Sequence, residues 1–266
     1  MHKIGINLHA KAGLSDEAYI RTMHELGFEA LFTDVLSEQA TLFVIRLLRE
    51  LGMKYEMIHA PFDGINEMWL DTARGERMLS RLQEAVDRAA LAACEPVVVV
   101  HLSSGKTPPP INEVGGARYD RLVQYAAARG VRIAFENQRK REHLAFALAR
   151  YAASANVGFC WDCGHEGCFT PDTQFMPLYG GKLLCTHIHD NACIDDADQH
   201  KLPFDGRLNF SRVARQLRES GYRGTLTLEV FAANSDCYAH LDCRAFLEQA
   251  AIAIKRLRRM VEGFAW

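Results

Sequence analysis

Apolar positions along the chain follow two alternating periods. Short runs rich in β-branched and aromatic residues, among them KYEMIH, VVVVH, VRIAFE, VGFCWD, LLCTH and TLTLE, give way to longer stretches with an apolar stripe at helical spacing. The short runs predict strands over residues 4–8, 28–33, 53–59, 96–102, 131–136, 157–162, 183–189 and 225–230. Between them, helices are predicted over 15–26, 38–51, 72–94, 114–129, 141–154, 171–179, 210–220 and 238–261. Ser15 followed by Asp16 and Glu17 marks one helix start, and Gly27 its stop. Strands alternating with helices, with no linker, low-complexity tract or change of composition, predict a single-domain (β/α)₈ TIM barrel over residues 1–266. An open doubly wound sheet is the alternative, but no glycine-rich fingerprint or Walker lysine follows any strand.

The ends of the strands carry the chemistry. His59, His101, Glu136, Asp162, His187 and Glu229 each close one run. Read with period 2, Glu136 shares a face with Ala134 and Arg132, Asp162 with Cys160 and Gly158, His187 with Cys185, and Glu229 with Thr227 and Thr225. The opposite face carries Trp161, Phe159, Ile188, Leu228 and Val230. A closed barrel has room inside for the smaller set only, so the acids and imidazoles are expected to point inward and to meet at the carboxyl ends of the strands. Buried together without partners they would cost several kcal/mol each, about what a divalent cation relieves. A lone histidine is more often a satisfied core or loop residue, but six strands ending alike point to a metal site. Mixed carboxylate and imidazole ligation suits Zn²⁺, Mn²⁺, Fe²⁺ or Co²⁺.

Further candidates flank this set. His165 follows strand six in DCGH, and Asp198 and His200 lie in the polar loop after strand seven. His189 and Asp190 are expected to orient His187. Cys160 and Cys163, spaced like a redox or zinc pair, have no second pair and read as core packing. Phe62 and Trp69 form either a substrate-stacking wall or a lid on the rim. Lys201 and Arg207 are either contacts for a substrate phosphate or solvated side chains.

Composition narrows the field. A net charge of -2 and a pI near 6.6 give no electrostatic footprint for nucleic acid. Cysteines within or beside apolar runs (Cys94, Cys160, Cys185) are expected to be reduced thiols in a cytoplasmic protein. No apolar run is long enough to span a membrane, and residues 1–10 read as strand rather than as a signal segment. A homo-oligomer is compatible with the sequence.

The motifs HAPF at His59, FEN at Glu136, WDCGH at Asp162 and His165, THIHDN at His187, DQH at Asp198 and His200, and LEV at Glu229 occur together. In them the chain resembles, over nearly its whole length, the xylose isomerase-like TIM-barrel superfamily. That superfamily includes sugar phosphate isomerases and epimerases, ketose 3-epimerases, inosose dehydratase and endonuclease IV. The epimerase branch implies one metal ion, usually Mn²⁺, on Glu136, Asp162, His187 and Glu229, with the two glutamates relaying a proton and His165 contacting a small polyhydroxylated substrate, phosphorylated or not. The endonuclease IV branch implies three zinc ions on those residues together with His59, His101, His165, Asp198 and His200, and hence phosphoester hydrolysis. The arginine that epimerases place shortly after the strand-seven histidine is absent from HIHDNAC. On these grounds a sugar or sugar phosphate isomerase or epimerase holding one to three divalent ions (Zn²⁺ or Mn²⁺) is expected. A zinc-dependent phosphoester hydrolase and a non-catalytic metal-binding barrel are the alternatives.

Overall fold

The computed structural model describes residues 1–92 and 96–263. Cys94, at the end of the third expected helix, lies outside the described residues. Eight strands form one parallel sheet: β1 (Ile4–Asn7), β2 (Ala30–Asp34), β3 (Lys54–His59), β4 (Val97–Val100), β5 (Arg132–Glu136), β6 (Val157–Asp162), β7 (Leu183–His187) and β8 (Leu226–Leu228). They hydrogen-bond in the order β7-β6-β5-β4-β3-β2-β1-β8, and each pairing is parallel. The sheet closes because the amide of Ile188 donates to Thr227 O (2.9 Å) and that of Glu229 to Ile188 O (3.2 Å). The result is the expected TIM barrel.

Helices α1 (Asp16–Glu25), α2 (Glu38–Glu50), α3 (Ala73–Ala90), α4 (Glu113–Ala127), α5 (Arg141–Arg150), α6 (Cys163–Phe169), α7 (Phe175–Tyr179), α8 (Phe210–Glu219) and α9 (Cys243–Val261) connect the strands. Most start where a short polar side chain satisfies a free amide of the first turn. Ser15, Ser37, Thr72, Asn112, Asn209 and Asp242 each accept from the backbone N–H three residues on. The last helix therefore begins at Cys243 rather than at residue 238, since Asp242 is the cap and 3₁₀ turns occupy 232–234 and 236–238. Helix α6 was hidden in the sequence by its glycines. Strand β8 is shorter than expected because the amide of Val230 is taken by the Asn7 side chain, not by a neighbouring strand.

Two cores result. The outer one, between sheet and helices, holds Trp161, Phe159, Ile188, Leu228 and Val230, as the alternation predicted. The inner one holds Ala134, Cys160 and Cys185 together with Phe32, Met57, Val97 and Val99. Cys160 and Cys163 thus face different cores. All of the described cysteines are free, and no helix among the described residues is long and apolar enough to cross a membrane.

Candidate active site

Strand β5 and the three residues after it build the site one level at a time. At the strand end, Glu136 is 1% exposed and lies between imidazoles: Oε1 is 2.8 Å from His187 Nδ1, and Oε2 is 2.6 Å from His101 Nε2 and 3.5 Å from His59 Nε2. Next, Asn137 donates Nδ2–H to Asp162 O and accepts the Asp162 amide at Oδ1, both at 2.8 Å. The side chain replaces one rung of the ladder and fixes the spacing of Glu136 from Asp162. The amide group of Gln138 then sits 3.1 Å from both His101 Nε2 and His165 Nδ1. Last in the series, Arg139 reaches the mouth, over the ring of Phe169.

Around this column the expected residues converge. His187 Nδ1 lies 3.2 Å from Glu229 Oε2 as well as beside Glu136. Asp162 caps α6 through the His165 amide (2.6 Å) and approaches His189 Nε2 at 3.0 Å. Asp198 lies 3.3 Å from His165 Nε2 and 3.2 Å from His200 Nε2. His189, expected to orient His187, instead contacts Asp162 and stacks on His200 with ring centres 3.9 Å apart. It fits there because residue 164 is glycine: a Cβ at that position would meet the His189 ring at 2.0 Å. Asp190, the other residue expected to orient His187, accepts the amides of Asn191, Phe204, Gly206 and Leu208 and so folds the loop.

The donors are sorted by tautomer. His59 Nδ1 contacts Ala60 O (2.8 Å), His200 Nδ1 contacts Glu229 O (2.9 Å) and His165 Nδ1 contacts Asn137 O (3.1 Å). His59 and His200 thereby donate Nδ1–H to a carbonyl and leave Nε2 facing a carboxylate, the arrangement by which proteins hold histidine as a ligand, while His165 Nδ1 lies between the Asn137 carbonyl and the Gln138 amide. Donor atoms fall into overlapping groups, each within 4.8 Å: Glu136, Asp162, His187 and Glu229; His59, His101 and Glu136; and His165, His189, Asp198 and His200. His187 Nε2 and His189 Nδ1 are buried without a hydrogen-bond partner, while Glu136 Oε2 and Asp198 Oδ1 face imidazole nitrogens without hydrogen-bond geometry. These orphaned atoms and the mixed donor set fit a divalent cation.

Charge is held in place by mutual attraction. Burial alone would push the Glu136 carboxyl up, but the imidazoles of His187 and His101 hold it well below the ordinary range. Burial works against the His59 imidazolium, yet Glu136 and Glu229 push its pKa up to about 9. The same contest with Asp198 and Glu229 raises His200 to about 9. His101, by contrast, is lowered, because its burial outweighs Glu136.

A cavity of about 360 Å³ opens above these groups. Its lining includes His59, His101, His165, Asp198, His200, Glu229 and Phe62, all expected, and Asp34, Gln138, Arg139, Phe169 and Phe231, which were not. Phe62 is 48% exposed and stacks on His101. Trp69 does not line the cavity. It is 1% exposed, donates Nε1–H to Leu102 O and packs on Tyr119, His143 and Phe146, so it is the core of the rim segment rather than a substrate wall. Lys201 and Arg207 do not line it either, since the loop curls around Asp190: the Lys201 backbone pairs with that of Asp190, and the Arg207 amide donates to Asn191 O.

Residues 20–260 match the family model described as xylose isomerase-like TIM barrel. The chain belongs to that family. Among curated relatives, the uncharacterized protein y4fM of Sinorhizobium fredii is 34% identical over 143 residues, 53% of this chain and 43% of that protein. The match thus spans less than half of that relative's length. The barrel superposes on a D-psicose 3-epimerase from Clostridium cellulolyticum H10, solved with D-tagatose, with a TM-score of 0.80 and 16% identity over 97% of this chain and 99% of that one. A 3-keto-D-glucoside 4-epimerase from E. coli gives 0.73 and 17%, over 97% and 99%. At these identities the likeness is one of fold, and this xylose isomerase-like barrel shares it with sugar epimerases.

Proposed function

We propose that the chain is a divalent-metal-dependent isomerase or epimerase of a small polyhydroxylated substrate, with Glu136 and Glu229 as the proton-transferring pair. One observation carries the reading: two carboxylates from separate strands, β5 and the end of β8, approach the same imidazole nitrogen, His187 Nδ1, at 2.8 and 3.2 Å beneath the cavity. Solved relatives of this fold include epimerases of keto sugars. A cation held by Glu136, Asp162, His187 and Glu229 would polarise the carbonyl and hydroxyl oxygens of the substrate and so acidify the adjacent C–H. One glutamate takes that proton, and the other returns a proton to the opposite face or to the neighbouring carbon. His165, at the cavity wall, binds a hydroxyl, while Phe62 and Phe169 bound the space and exclude water from it. The test is incubation of the metal-loaded protein with a panel of ketoses and aldoses in ²H₂O. Incorporation of solvent deuterium beside the carbonyl supports the reading, and its absence across the panel contradicts it.

The group His165, His189, Asp198 and His200 favours a second reading, because a one-metal isomerase does not need it. Filled together with the other two groups, it would supply the three-ion chemistry of a phosphoester hydrolase. Cleavage of an abasic-site duplex by protein carrying about three zinc ions per chain, with no deuterium exchange on any sugar, would decide for it.

A further inference from the structure

The cavity has one Lys or Arg in its lining among the described residues, Arg139. It stands three residues beyond Glu136 and directly after Gln138, whose amide bridges His101 and His165, so its backbone is tied to the acid and imidazole cluster. Its guanidinium carbon lies over Phe169, 3.5 Å from the ring centre, and the group hydrogen-bonds Asp196 through Nε (3.0 Å) and Nη2. Asp196 has a second cation: Lys106 Nζ is 2.6 Å from Oδ2 and also 2.9 Å from Asp195. Asp196 also adopts φ 64, an unfavourable backbone for an aspartate. The loop that carries it leads to Asp198 two residues on and His200 four residues on, members of the third donor group.

We propose that Arg139 is the recognition residue for an anionic oxygen group on the substrate, a carboxylate or a phosphate ester, and that Asp196 is its resting counter-ion. This rests on the reading of the cavity as the site of a small polyhydroxylated substrate. The side chains of Arg139 and Asp196 remain 24% and 40% exposed, so solvent screens the pair and an incoming oxyanion can compete for the guanidinium. The planar fork, already oriented by Phe169, matches two oxygens of either group. When Arg139 turns to the substrate, Lys106 keeps Asp196 neutralised and the loop attached. The otherwise acidic lining, with Asp34, Asp198 and Glu229, then has one place for a negative charge, which sets the orientation of the substrate chain.

The test uses three probes that carry no aldehyde or ketone and so cannot turn over: sorbitol, sorbitol 6-phosphate and gluconate, titrated calorimetrically into the metal-loaded protein. At least one charged probe is expected to bind ten times or more tighter than sorbitol, and which one distinguishes ester from carboxylate. Arg139→Gln should bring that probe to within about threefold of sorbitol, with sorbitol affinity and metal content unchanged. Asp196→Asn should tighten the charged probe several-fold. Equal affinity for the three probes in the wild type, no binding of either charged probe, or a charged preference that survives in Arg139→Gln would overturn the proposal. A failure of the deuterium-exchange experiment leaves these binding results readable, so the two ideas fail separately.

Discussion

The two halves of the barrel interior are built differently. On β2–β4 the inward positions below the mouth hold Phe32, Met57, Val97 and Val99, and the only ligand-type groups at the strand ends that join the donor groups are His59 and His101. On β5–β7 they hold Ala134, Cys160 and Cys185, and those strands end in Glu136, Asp162 and His187. The large side chains of the first half fill the barrel. The small ones of the second leave room for charged groups to sit deeper, where Glu136, Asp162 and His187 are 1% exposed or less. Charges that deep persist only when each has a partner, and the interdigitated carboxylates and imidazoles are those partners. Packing in one half thus makes the chemistry of the other half tenable.

The comparison can be broken most severely at Glu136. Glu136→Gln keeps the shape but removes the charge shared by two donor groups, so turnover should fall by about 10²–10⁴-fold and bound metal should be lost, as read by steady-state assay and elemental analysis. Substitutions beneath the mouth should separate the halves. Met57→Ala leaves a cavity and should cost about 2–5 kcal/mol in denaturant unfolding with metal content kept. Cys160→Leu overpacks the tight half, costing about 1–3 kcal/mol, and should lower metal content by displacing Glu136 and Asp162. A smaller effect is expected from Asn137→Ala. It leaves the Asp162 amide and carbonyl without their partner, worth about 1–3 kcal/mol, and should weaken metal binding about 10–100-fold. Asn66→Ala removes the same kind of reciprocal contact, to Ser104 at the exposed rim, and should change neither reading appreciably.

The smallest expected effect is on pH dependence. His59 and His200 have pKa values near 9 in the folded metal-free chain, above the unfolded value of about 6.5. Their contribution to stability is therefore fully present below about pH 6.5 and is lost as pH rises through about 9. Melting temperatures of the metal-free protein should decline across that window, and those of protein loaded with about three ions, in which His59 and His200 are ligands, should not, because ligation has already displaced the protons. Parallel curves would show that these imidazoles do not take up metal.

Strand-end chemistry was legible because a strand alternates strictly. Parity alone placed Asp162 with Cys160 and His187 with Cys185, and the inner core contains both cysteines. Asp34 closes ALFTD in the same way and could have been found by extending that strand one residue. What the sequence hid is non-repeating. Arg139, Gln138, Phe169 and Phe231 reach the cavity from loops and a short helix, where no period exists to be read. Trp69 is expected at the rim as a wall or a lid, but Gly115 on α4 leaves the buried space that its ring fills: a Cβ there would lie 2.0 Å from it. Such long-range fit has no local signature.

The account turns on whether the charges at the mouth are balanced by a cation. Elemental analysis of wild type and Glu136→Gln, each incubated with Zn²⁺ or Mn²⁺ and then desalted, measures this directly. At least one divalent ion per wild-type chain and a loss of one or more in the variant is the predicted result. A folded wild-type chain that retains neither ion would contradict it.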